Sequence, residues 1–362
     1  MRFWIGTYPS RDGVVPPAEG VWRVDLLDDG TLVDRGRAAA LAQASFVAVH
    51  PTLPVLYATQ EAEPGGAVAA FATGDPDDAA MSLRPLVTVP AGGGYPCHLE
   101  VLGSEVLVSC YGSGAPGSAV LGSVPLSPDG APAGDARTHG HDGAPGPHAD
   151  RQDASHVHSA TLAPGGTHVW AADLGTDQLV RYRVTDAGVT ADGVTARMPA
   201  GSGPRHLVLL PDDVAIVACE LDSTVAVVRL PGADGGPDGE VLQVLPACAT
   251  PAGDGPSQPS HITLNDAGTR LHVGVRGQDV LATFAVERGD DGVALTHLAD
   301  TPCGEWPRHH AVLAGAAADR DVVVVAAQGG HELVALEIGA DGSGRVLSRL
   351  TLPVRPSCVV PV

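Results

Sequence analysis

The sequence predicts an all-β, seven-bladed β-propeller: four-stranded antiparallel blades, a single domain spanning residues 1–362, and a ring closed by N- and C-terminal strands that share one blade. Three observations predict it. A polar leader followed by an apolar strand recurs seven times, as SFVAVHP, CHLEVLG, HSATLAP, RHLVLLP, SHITLND, RHHAVLA and a shortened SCVV, led by Ser45, Cys97, His158, Arg205, Ser260, Arg308 and Ser357. Successive leaders lie 52, 61, 47, 55, 48 and 49 residues apart, which suits a four-stranded blade rather than a shorter helical repeat. The seventh copy stops at Val362 before a second strand, whereas RFWIGTY and GVWRVDL open the chain with no leader before them. Joined, these ends complete one blade and remove the exposed edges of an open array.

Within each blade the order of strands is readable. The leader strand is followed by a second apolar run, VLYATQE, EVLVSCY, THVWAADL, VAIVACEL, RLHVGVR or DVVVVAAQ. These runs are rich in β-branched residues and bounded by Pro, Asp and Gly, which favours strand over helix. Third strands follow at QLVRYRV, STVAVVRL, VLATFAVE and ELVALEI. The longest interval holds a Gly, Pro, Asp and His-rich stretch from Ser127 to Ser155, read as a surface loop or, because it leads straight into SHVHS, as a cover for the pore mouth.

Composition narrows the partners. A formal net charge of −21 argues against nucleic acid and anionic membranes, both of which require a basic face. No apolar run approaches the roughly 18 residues of a membrane span, and MRFWIGTYPSRDG lacks a signal-peptide pattern, so a cytoplasmic setting is expected. Six cysteines form no CxxC pair and read as buried free thiols. Nucleotide-binding glycine fingerprints, a phosphate loop and HExxH are all missing, and no cofactor is expected. HGH at His139–His141 and HVH at His156–His158 are weak metal candidates without cysteine partners, so no metal site is assigned. Oligomeric state is not legible.

Antiparallel pairing places the start of each leader strand beside the end of the next strand, at one face of the ring. By this rule His158 lies near Asp173, Arg205 and His206 near Glu220, Ser260 and His261 near Arg276, and Arg308, His309 and His310 near Gln328. Four adjacent blades thus bring His158, Arg205, His206, Glu220, His261, Arg276, Arg308 and His309 to one mouth. The first two blades add Ser45, Phe46, Glu61, Cys97, His98 and Tyr111. Arginine forks match carboxylate or phosphate, and histidine exchanges protons near neutrality. The expected partner is a small anionic lactone or carboxylate. Three arginines at one cavity would repel one another unless something anionic were shared between them. Histidines after the leaders also fit a structural role, hydrogen-bonding the neighbouring blade.

The blade phrases, and above all RQ…SHVHS followed by DLGTD and ELDST, resemble the lactonase family of seven-bladed propellers, which includes the propeller type of 6-phosphogluconolactonase and the carboxymuconate-lactonising cyclase. The resemblance covers essentially the whole chain and implies that His158, Glu220, Arg205 and Arg276 are the catalytic set. It implies a lactonase that hydrolyses an anionic sugar lactone such as 6-phosphogluconolactone; the other four residues that pairing brings to the mouth, His206, His261, Arg308 and His309, are expected to bind substrate. A lactonising cyclase and a non-catalytic binding propeller are the alternatives.

Overall fold

The computed structural model describes the whole chain apart from residues 10–18, 75–82, 113–116, 212, 233–238, 254, 290–291 and 314–318. Seven four-stranded antiparallel sheets form the ring, and no described residue is helical. Blades are numbered here by their leaders, from Ser45 in blade 1 to Ser357 in blade 7. Blade 7 is composite: Arg355–Pro361 is its innermost strand and pairs with Arg2–Tyr8, followed by Gly20–Leu26 and Leu32–Ala40. Closure by the two chain ends, expected from the shortened seventh phrase, is what the strand order shows.

Leader strands line the central channel, and each packs against the leader strands on either side of it. Second strands such as Val214–Cys219 and Arg270–Arg276 are buried along their whole length, as their continuous apolar runs require. Fourth strands such as Glu240–Pro246 are half exposed, with no residue of that strand fully buried. Apolar clusters fill the spaces between blades; one joins Ile216, Val227, Val273 and Phe284 across blades 4 and 5. Each buried side chain of this size contributes about 1.5–3 kcal/mol.

Six of the seven leaders share an unexpected backbone property. Pro204 pairs with Cys219 and His206 with Ala218, so Arg205 is an extra residue with no partner in the ladder. Cys97, His158, Arg308 and Ser357 are skipped in the same way, and in blade 5 the slip takes in Ser260 and His261. A β-bulge frees one residue from the ladder and re-aims its side chain. Here the bulge repeats at the channel entrance of blade after blade.

Turn residues hold those entrances in place. Asp177, in the left-handed region at φ 52°, accepts the amides of Gly201 and Gly203 just ahead of Arg205. Asp279, at φ 59°, does the same for Trp306 ahead of Arg308. Short polar side chains tolerate that conformation and satisfy nearby amides.

Candidate active site

A pocket of about 350 Å³ opens at the channel mouth, lined by Arg151, Arg205, Arg276 and Arg308, by Glu61 and Glu220, and by His158, Cys97, Tyr95, Tyr111 and Gly112. Glu220 follows the second strand of blade 4, where its amide bonds Gly203 O at 2.8 Å. Its Oε1 accepts from Arg151 Nη2 at 2.6 Å, and its Oε2 accepts from Arg276 Nη2 at 2.7 Å. Arg205 Nε lies 2.8 Å from the same Oε2 without the alignment of a hydrogen bond, an ion pair in which charge dominates direction. Burial pulls the Glu220 carboxyl upward, but Arg276, Arg205 and Arg151 outweigh it and hold the group well below the usual carboxylate range. The shared anion that a cluster of arginines demands is therefore supplied by the protein.

Arg308 is arranged differently. It donates to Tyr8 Oη at 2.9 Å, with its guanidinium 5.1 Å from the Tyr8 ring centre, and Tyr8 donates in turn to Glu61 Oε2 at 2.5 Å. Among the described residues Arg308 has no carboxylate within ion-pair distance. His158 lines the same pocket, and burial and Arg205 hold its imidazole well below its ordinary value, so it is neutral at pH 7. Among the described residues its imidazole has one polar contact, Nδ1 to Cys97 Sγ at 3.9 Å. The other ring nitrogen is left for a ligand or water. Four guanidiniums against two carboxylates leave the pocket with an excess of two positive charges on a strongly acidic protein.

This arrangement accompanies clear kinship. The family described as "Lactonase, 7-bladed beta-propeller" matches residues 2–360. The chain belongs to that family. It is 30% identical over 309 residues to the 6-phosphogluconolactonase of Bacillus subtilis, covering 84% of this chain and 83% of that protein. The periplasmic gluconolactonase of Pseudomonas aeruginosa superposes with a TM-score of 0.85 at 25% identity, over 99% of this chain and 98% of that one. A protein from Lactobacillus plantarum superposes with a TM-score of 0.80 at 27% identity, over 99% and 98%.

The structure brings His158, Arg205, Glu220, Arg276 and Arg308 together in the pocket. It does not bring His206, His261 and His309 there. They form a layer beneath it with His98 and Phe46: His261 stacks on His309 at 3.7 Å, His206 Nδ1 lies 2.8 Å from His261 Nδ1, and His98 lies 4.5 Å from Phe46, each ring separation being between centres. The space left between His206, His309 and the pocket floor is about 10 Å³, too little for substrate. His309 Nδ1 also accepts the amide of Val359 in blade 7. Asp173 pairs with Val157, next to His158, as the pairing rule places it, but its carboxylate is engaged elsewhere, accepting from Ser155 Oγ at 2.6 Å and lying 2.8 Å from His141 Nδ1.

Three pocket residues escaped the pairing rule, Tyr95, Gly112 and Arg151, of which Arg151 alone is charged. Arg151 arrives on the long segment after Ser127, which reaches the mouth instead of lying on the surface alone. Its sequence signal is its place in RQDASHVHS, directly ahead of the leader His158. Among the described residues no group of three or more His, Cys, Asp or Glu side chains is placed to hold a metal ion, and no helix is long and apolar enough to cross a membrane. All six cysteines are free thiols.

Proposed function

We propose that the chain hydrolyses an anionic sugar lactone in this pocket, with 6-phosphogluconolactone the candidate that its Bacillus relative suggests. The observation that carries the reading is a neutral, buried histidine sharing one pocket with a guanidinium free of carboxylates and three others gathered on a single carboxylate.

His158 accepts a proton from water as the water oxygen attacks the lactone carbonyl. Arg308, with donors uncommitted to any carboxylate, faces the oxyanion that forms, where a positioned donor is most effective. The ring carbon–oxygen bond then breaks, and the protonated His158 returns its proton to the departing alkoxide, giving the open hydroxy acid. Glu220 is a poor base because both its oxygens are engaged; its task is to hold Arg151, Arg205 and Arg276 around the substrate without mutual repulsion. His206 and His309 take no part in proton transfer in this scheme, since they lie under the floor.

Side-by-side assays on 6-phosphogluconolactone and a carboxymuconate test the assignment. Hydrolysis of the lactone, lost in His158→Ala, supports it. Lactonisation of the muconate with no lactone hydrolysis would transfer the same residues to the reverse kind of chemistry.

A further inference from the structure

Arg151 stands apart from the other guanidiniums of the pocket. Arg205 Nη1 donates to Ser260 O at 2.6 Å, and Arg276 donates to Gln258 O at 3.1 Å while its guanidinium lies 5.5 Å from the Trp306 ring centre. Both are fixed by strand ends and nearly sealed, with side chains 3% and 5% exposed. The Arg151 side chain is 32% exposed and, among the described residues, bonds two side chains, Glu220 at 2.6 Å and Tyr111 Oη at 3.3 Å. Arginine carries five N–H donors, so most of this fork remains uncommitted at the rim.

Its backbone, by contrast, is anchored. The neighbouring Gln152 is fully buried and donates to Leu174 O at 2.8 Å and to Asp177 Oδ1 at 2.9 Å. A fixed base with a free tip suits a residue that meets the outer end of a ligand. If the lactone carbonyl lies at the floor beside His158 and Arg308, a substituent on the far side of the sugar points towards Arg151. The excess of two positive charges in the pocket matches a phosphate, which carries about −1.5 to −2 at neutral pH, and finds no match in an uncharged lactone.

We propose that Arg151 is the residue that makes the pocket select lactones bearing a phosphate remote from the ring carbonyl. The inference rests on the lactonase reading above, but its test does not depend on turnover alone.

Calorimetric titration of the wild type, Arg151→Met and Arg151→Lys with 6-phosphogluconate and with gluconate compares ligands that share a carboxylate and differ in the phosphate. The wild type should prefer 6-phosphogluconate. Arg151→Met should reduce that preference by about tenfold to a hundredfold, the worth of a charge-assisted hydrogen-bond pair, and Arg151→Lys should fall between. In kinetics, the KM for 6-phosphogluconolactone should rise by more than that for gluconolactone, with kcat changing less than KM. No phosphate preference in the wild type, or a preference that persists in Arg151→Met, would overturn the proposal. If neither lactone is hydrolysed while the preference is still lost in Arg151→Met, the lactonase reading fails and the phosphate site stands.

Discussion

The seven leaders occupy equivalent bulged or strand-entry positions, yet they divide into two kinds. In blade 7, Ser357 Oγ donates to Ser45 O of blade 1 at 2.7 Å; in blade 5, Ser260 Oγ donates to Pro307 O of blade 6 at 2.6 Å; in blade 2, Cys97 Sγ lies 3.5 Å from His158 O of blade 3. These short side chains fasten three of the seven junctions between blades, and Cys97 lines the pocket as well. His158 and Arg308, released from the ladder by the same bulge, have the length to reach the pocket instead. Arg205 does both, since one guanidinium nitrogen bonds Ser260 O of the next blade while another pairs with Glu220. A repeated backbone device thus serves closure or chemistry according to the side chain it presents.

The largest break in that comparison should come from the anion beneath the arginines. Glu220→Gln leaves Arg151, Arg205 and Arg276 without their shared charge; breaking such a buried pair costs about 3–5 kcal/mol, readable by urea denaturation, and activity should vanish with it. Among the leaders themselves, His158→Ala should lower kcat by about 10² to 10⁴-fold as a lost general base, with a much smaller stability change. Removing a fastening leader should do the opposite. Ser357→Ala is expected to cost about 1 kcal/mol of stability, one hydrogen bond, and to leave kcat/KM nearly unchanged.

Acid should separate the floor from the mouth. Burial pulls His98 and His310 down to about 3, and burial with neighbouring cations and histidines places His158, His206 and His309 well below 6.5. A histidine kept neutral in the native state binds fewer protons than in the unfolded chain, so stability is complete above the unfolded value near 6.5 and falls as pH drops towards the native values. Urea midpoints measured between pH 7.5 and 4 should decline below about pH 6.5, and His98→Phe, which cannot take up a proton, should flatten the decline.

The ring was legible because blades repeat and strands alternate with turns; even the composite seventh blade followed from a phrase that stops at Val362. Much of the site was legible too, since Arg205 with Glu220 and the convergence of Arg276 and Arg308 follow from antiparallel pairing alone. Arg151 was not, because its position depends on a loop tied by Gln152 to Asp177 and on Glu220, 69 residues away. Nor does spacing separate a residue that faces the pocket from its neighbour beneath. Arg205 and His206, and Arg308 and His309, are adjacent in sequence, and only the bulge sends one upward and leaves the other in the packed layer.

The most direct test of the division compares Arg308→Met with Ser357→Ala in one experiment, measuring kcat/KM on 6-phosphogluconolactone together with Tm. An oxyanion donor is worth about 10² to 10³ in kcat, so Arg308→Met should lose activity on that scale and keep its Tm, whereas Ser357→Ala should lower Tm and keep its activity. Equal losses of both quantities in both variants, or full activity in Arg308→Met, would contradict the account.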